Sequence, residues 1–272
     1  MNGHPLLEAR EVSVRFGGLT AVDAVNAVFA PGELVGIIGP NGAGKTTFFN
    51  ALSGVIAPSS GELFVLGRRL TGKGPHRYAQ QGIARTFQTP RVFAALSVSA
   101  NVHFGLQFAG RRRSGSWRLL DEASILNVIG LSALATLPAA AITPSQQRLL
   151  EIGMALATRP RLLLRDEVAA GLTENEVEAM AQLIRRLRDE LDLTVIWIEH
   201  AVTTLLRHVE RVIVLHQGKK IADGLPGDVV RNAQVVEAYL GDMETGLDAG
   251  PAAAPLPVDA ARLASPTRAQ PA

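Results

Sequence analysis

The chain has 272 residues, 47% of them hydrophobic, with a formal net charge of +2 and no cysteine. That length supports a sizeable core, as one large α/β domain or two smaller lobes. The missing cysteines exclude disulfides and thiolate metal sites, the near-balanced charge argues against a whole-surface nucleic-acid binder, and no apolar run reaches the roughly 18 to 20 residues that span a bilayer.

The N-terminus lacks the charged, apolar and small-residue succession of a signal peptide. The first thirty residues, "LLEAREVSVRF" and "VDAVNAVFA", alternate in the manner of short antiparallel strands. "ELVGIIG" (33–39) is a buried strand, followed by glycines and then by "KTTFFNALSG" as a helix. The junction "GPNGAGKTT" (39–47) fits G-x-x-x-x-G-K-[ST] without a mismatch and lies where that pattern must lie, between a strand and a helix. Gly39, Gly42 and Gly44 let the backbone turn tightly and bring several N–H groups towards one anion. The positive helix end near Lys45 adds to this. Its ammonium can reach the β and γ phosphates, and Thr46 can ligate Mg²⁺. The junction therefore predicts a nucleoside triphosphate.

Further on, "ARTFQ" (84–88) ends in Gln88, which could touch Mg²⁺ or water or could equally be an ordinary loop residue. Residues 94 to 158 carry more helix than strand signal and predict a mostly helical lobe inserted in the α/β body. Its loop "GRRRSGSWR" (110–118) has two readings, a solvated variable loop or a docking surface. At 142–146, "ITPSQ" is a helix start: Thr143 is the N-cap, Pro144 suits the first helical position, and Gln146 completes a capping box. "LLLRDEV" (162–168) ends a buried strand in two carboxylates. Asp166 is placed to hold a Mg²⁺ shell, and Glu167 to orient or deprotonate an attacking water. Thr173 and Glu176 have capping-box spacing, and Val177, Met180, Ile184 and Leu187 share one helical face. "TVIWIE" and "RVIVLH" are further buried strands. His200, at the C-terminal edge of the first of them, is placed where open α/β sheets bind ligands. Such strands with helices between them predict a mainly parallel, doubly covered sheet. From about 246 the composition turns to Ala and Pro without a period, which predicts a disordered tail to 272.

Together these residues resemble the ATP-binding subunit of an ABC transporter, from about Leu6 to Leu240. The resemblance implies a P-loop NTPase fold with an antiparallel β subdomain and an inserted helical subdomain, with ATP and Mg²⁺ as ligands. It makes Phe16, in "VRFGGLTAV", the aromatic that stacks on adenine. The Walker A loop then runs through Gly39, Pro40, Asn41, Gly42, Ala43, Gly44, Lys45, Thr46 and Thr47, and "ARTFQ" is the Q-loop. "LLLRDE" is Walker B, "AAGLT" the D-loop and His200 the switch histidine. Thr46, Gln88 and Asp166 become the Mg²⁺ set, and Lys45, Gln88, Glu167 and His200 the catalytic set. "FGGLTAVDAV", "GIARTFQTPRVF", "WIEHAV" and "VVEAYLG" resemble the branched-chain amino acid uptake branch. Related branches carry urea, short amides or other hydrophobic amino acids. The resemblance also implies a homologous ATPase partner, two membrane permeases fed by a periplasmic binding protein, and a peripheral position on the cytoplasmic face of the inner membrane. The basic loop and "TPRVFAALSVSANV" would then face the permeases.

Two departures stand out. The family signature L-S-G-G-Q, which serves the nucleotide of the partner subunit, is "ITPSQ" here, so Thr143, Ser145 and Gln146 hold that place without a glycine. Arg165 occupies a buried strand position where the family has an apolar residue. Either that strand end is open, or an acid or carbonyl pairs with the guanidinium, or stability is reduced. Val168 and Ala201 are milder departures, while Ala100, in "SVSANV" where related chains often carry glutamate, is expected to alter the permease contact. The departures also allow a nucleotide-binding subunit with one degenerate composite site.

Overall fold

The computed structural model describes residues 4–109, 121–166, 173–199 and 202–244. In chain order its strands are β1 (Leu7–Phe16), β2 (Leu19–Phe29), β3 (Leu34–Ile38), β4 (Ser60–Val65), β5 (Arg68–Arg69), β6 (Ile83–Arg85), β7 (Leu162–Arg165), β8 (Thr194–Ile198), β9 (Arg211–His216) and β10 (Lys219–Gly224). The helices are α1 (Lys45–Leu52), α2 (Pro75–Gln80), α3 (Val98–Gln107), α4 (Glu122–Val128), α5 (Pro144–Ala157), α6 (Glu174–Leu191), α7 (Val202–His208), α8 (Pro226–Val229) and α9 (Ala233–Glu244).

The strands form two sheets. One has the order β2-β1-β4-β5 and is antiparallel throughout. The other has the order β10-β9-β3-β8-β7-β6; β9, β3, β8, β7 and β6 are mutually parallel, and β10 returns antiparallel on the edge. The β3 and β8 strands are buried at every position, as expected for a sheet covered on both faces. The alternation of side chains divides the core. Val35, Ile37, Ile196 and Ile198 point towards α1 and the antiparallel sheet. Leu34, Ile38, Val195 and Trp197 point towards the helical side. On that side Val98, Val102, Ile125 and Leu150 join Met180, Ile184 and Leu187 in one cluster. The helical insertion thus continues the core of the sheet's helical face.

Both predicted capping boxes form. Thr143 accepts from the Gln146 N–H at 3.2 Å while its own N–H donates to Gln146 Oε1 at 2.9 Å. Thr173 and Glu176 repeat the arrangement at 3.3 and 2.9 Å. Each box satisfies N–H groups that the helix itself leaves unpaired. The expectation of short strands near the N-terminus is corrected: β1 has 10 residues and β2 has 11. Irregular pairing after Ala9 and positive φ at Glu11 and Ala24, 48° each, interrupt the two-residue period, so one long strand has the pattern of shorter ones. The predicted tail, the basic loop 110–118, Val168 and Ala201 lie outside the described residues.

Candidate nucleotide site

The C-terminal ends of β3, β6, β7 and β8 lie along one edge of the parallel sheet, the edge where such sheets place ligands. From the end of β3 the chain enters the glycine loop. Gly44 forms the N-cap of α1 with φ +95°; a Cβ there would meet the Ala21 carbonyl at 2.3 Å. The β9–β10 turn braces the loop from behind, Gly218 N–H donating to Ala43 O at 3.0 Å. Gly42 has φ +74° and nothing within 4 Å of its missing Cβ, so the front of the loop is open. Lys45 is buried to 5% exposure, and its ammonium folds back onto the loop, donating to Gly39 O at 2.7 Å and Pro40 O at 2.9 Å. An open, left-handed turn of backbone, a helix N-terminus and a held cation fit a triphosphate. Asn41 and Thr46 are exposed and Thr47 is half-buried, in keeping with a site reached from solvent. Phe16 is 50% exposed at the tip of the β1–β2 hairpin, the hairpin whose Ala21 presses on Gly44.

Asp166 lies just beyond β7, 4% exposed, with Oδ2 at 2.9 Å from Arg85 Nη2. Arg85 ends β6 and also donates to Asn50 Oδ1 at 2.5 Å and Ser53 Oγ at 3.0 Å, both from the α1 segment. One guanidinium therefore fastens the carboxylate of the site to the helix that begins at Lys45. Gln88 is exposed on the segment that follows β6. No group of three His, Asp or Glu among the described residues is arranged to hold a metal by protein ligands alone. A metal sharing Thr46, Asp166 and phosphate oxygens needs no such group. Glu167, His200 and most of the D-loop lie outside the described residues.

Arg165 is fully enclosed, at 1% exposure, so its strand end is closed. Its guanidinium lies 4.5 Å from the centre of the Trp197 ring, in register on the neighbouring strand. Its Nε and Nη1 make no hydrogen bond. Burial pulls its pKa down to about 10, Glu199 acts the other way, and Arg148 adds to the lowering, so it stays charged at neutral pH. At the signature position, Thr143 and Gln146 are committed to their cap. Thr173, with a smaller part from the Ser145 hydroxyl, holds the Glu176 carboxylate below its usual range.

Sequence reasoning missed three residues here. Arg85 was visible as a charge ending a strand, and Trp197 as a large aromatic in a β-branched run. The third is Glu151 of α5, buried at 6% exposure. Its carboxylate accepts from the backbone N–H of Phe87 and Arg91. Burial pushes its pKa from the ordinary 4.5 up to about 7, against the pull of those N–H groups and of Arg91 and Arg148. A carboxyl raised in the folded state contributes stability that is complete below about 4.5 and lost as pH climbs through 7. Relative to Glu151→Gln, the native chain is expected to lose on the order of 3 kcal/mol across that window. Urea midpoints of both chains at pH 5 and pH 8 measure this; a gap that does not change with pH refutes it.

A family model described as ABC transporter matches residues 22–170, and one described as branched-chain amino acid ATP-binding cassette transporter matches residues 219–245. The high-affinity branched-chain amino acid transport ATP-binding protein BraF of Pseudomonas aeruginosa is 36% identical over 251 residues, covering 88% of this chain and 98% of BraF. LivG of Escherichia coli K12, with the same description, is 38% identical over the same shares. A crystal structure of an ATP-binding cassette of an ABC transporter, in its ADP conformation, superposes with a TM-score of 0.76 at 28% identity, covering 87% of this chain and 99% of that one. A family match over more than half the chain and relatives this similar along nearly their whole length carry the same conclusion as the loop geometry: the chain belongs to the ATP-binding subunits of ABC transporters, in their branched-chain amino acid group.

Proposed function

We propose that this chain hydrolyses ATP as one of a pair of ATPase subunits that energise an importer of branched-chain or other hydrophobic amino acids from the cytoplasmic face of the inner membrane. The observation that carries the chemistry is the open glycine loop with Lys45 folded onto it, on a helix that Arg85 fastens to Asp166. Loop N–H groups and Lys45 hold the phosphates, Thr46 and Asp166 hold Mg²⁺, and Phe16 covers the base. Mg²⁺, when bound, neutralises charge on the phosphates. Glu167 orients the water that attacks the γ phosphorus, which leaves ADP and phosphate. His200 and Gln88 respond to that phosphate. The permeases, in turn fed by a periplasmic binding protein, dock in a groove of about 1020 Å³ whose walls include Arg91, Phe93, Phe104 and Phe108. Reconstitution with the co-encoded subunits should give ATP-driven leucine uptake. Uptake of urea without leucine would replace the cargo.

The pair is unequal in this reading. This chain's own loop, Asp166, Glu167 and His200 make one full site, completed by the partner's signature. The partner's loop meets Thr143, Ser145 and Gln146, and the side chains of Thr143 and Gln146 are engaged in the cap within this chain. Glu167→Gln is expected to lower hydrolysis by the assembled transporter far more than the matching change in the partner. Equal losses would contradict the asymmetry.

A further inference from the structure

The segment after β6 is pinched closed by one side chain. Phe87 N–H lies 3.3 Å from both oxygens of Glu151, and Arg91 N–H lies 2.9 Å from Oε1 of the same carboxylate. Residues 88–90 therefore arch over a single buried acceptor, with Gln88 exposed on the arch. The Arg91 guanidinium lies 4.4 Å from the Phe87 ring centre, and the Arg85 guanidinium closes on the same ring at 5.3 Å. Pro90 fixes one φ of the arch. Glu151 sits on α5, the helix whose N-terminus carries Thr143, Ser145 and Gln146. Arg85, at the other end of the segment, grips Asp166. An unbroken run of contacts thus joins Asp166, Arg85, Phe87, Glu151 and the helix that begins at the signature.

A solvated acid on a helix face would not be buried to 6% exposure at the cost of its own ionisation. Glu151 is kept where two backbone N–H groups need one acceptor each. We propose that Glu151 is the positioning residue for Gln88: its carboxylate fixes the arch 88–90, so that Gln88 moves as one piece with α5. This rests on the reading that Gln88 serves the nucleotide site. A neutral amide with its oxygen at the Oε1 position still accepts from both N–H groups but sets an NH2 against the Phe87 N–H in place of Oε2, so Glu151→Gln is a partial loss and Glu151→Ala a full one.

The test is a double-mutant cycle in the assembled transporter, with Glu151→Ala, Glu151→Gln, Gln88→Ala and the Glu151→Ala/Gln88→Ala pair. Glu151→Ala is expected to lower the kcat for ATP by about tenfold or more with KM changed by less than about twofold, because misplacement acts on the reacting geometry. Glu151→Gln should fall between it and the native chain. In the Gln88→Ala background, Glu151→Ala should cost less than about twofold further. Backbone hydrogen exchange across 87–91 should accelerate in Glu151→Ala while β3 and β8 remain protected; if that variant does not fold, the same comparison is made with Glu151→Gln. Unchanged exchange across 87–91, or a Glu151→Ala loss that multiplies in full with that of Gln88→Ala, overturns the proposal. If Gln88→Ala alone leaves hydrolysis intact, the underlying reading of Gln88 fails instead.

Discussion

Lys45→Ala is expected to lower ATP turnover of the assembled transporter by about a hundredfold or more. The ammonium is held in place by the protein itself: it is 5% exposed and donates to two carbonyls of the loop it serves. A charge preorganised in that way stabilises the transferring phosphoryl group without reorganising during the reaction. Alanine removes the cation and leaves the Gly39 and Pro40 carbonyls short of these two bonds, while α1 keeps its backbone and its contacts through Phe48 and Phe49. The fold should therefore survive. Lys45→Arg should not rescue, because a planar guanidinium cannot converge on Gly39 O and Pro40 O as a compact ammonium does. Turnover within about threefold of the native value, in a protein with native circular dichroism, would remove Lys45 from the chemistry.

That residue was legible in the sequence because its chemistry fixes its neighbours. A phosphate cradle needs glycines and a lysine at set spacings, between a strand and a helix. The buried strands were legible for a similar reason, since β3 and β8 are apolar on both faces. The caps at Thr143 and Thr173 were legible because both partners lie within one turn. Interactions between distant segments were hidden. Glu151 has the pattern of a solvated acid until α5 is placed against residues 87–91. Asp166 could be assigned to Mg²⁺ from its strand end, but its ion pair with Arg85 required β6 to pair beside β7. β1 and β2 were misjudged in length because bulges disturb the very alternation that identifies a strand. The consequence of Ser145 was likewise hidden, since its hydroxyl helps hold Glu176, at the start of another helix, below its usual carboxylate range.

Arg165 supplies the second large effect. Trp197→Ala is expected to destabilise the chain by about 3–5 kcal/mol from the lost packing alone, plus about 2 kcal/mol because Arg165 loses its aromatic face. The indole is fully buried, flanked in register by Gly36 on β3 and Arg165 on β7. Leu205 closes the space over Gly36, a Cβ there meeting its side chain at 2.4 Å, so collapse from that side has little room. Without the ring, a guanidinium whose Nε and Nη1 already lack hydrogen bonds would face a void. Arg165→Met acts in the opposite direction. It fills similar length with apolar atoms and removes a charge whose desolvation outweighs its attraction to the buried Glu199, so it should stabilise the chain, by on the order of 1 kcal/mol once Glu199 has lost that cation. It should also soften the Trp197→Ala loss, since no charge then depends on the indole. Urea unfolding of the native chain, both single variants and the double variant separates these contributions. A coupling of about 1–2 kcal/mol between the two sites is expected. If Trp197→Ala costs the same in both backgrounds, the ring does not support the arginine. If Arg165→Met is itself destabilising, the guanidinium's interactions, Glu199 foremost among the acids, outweigh its desolvation.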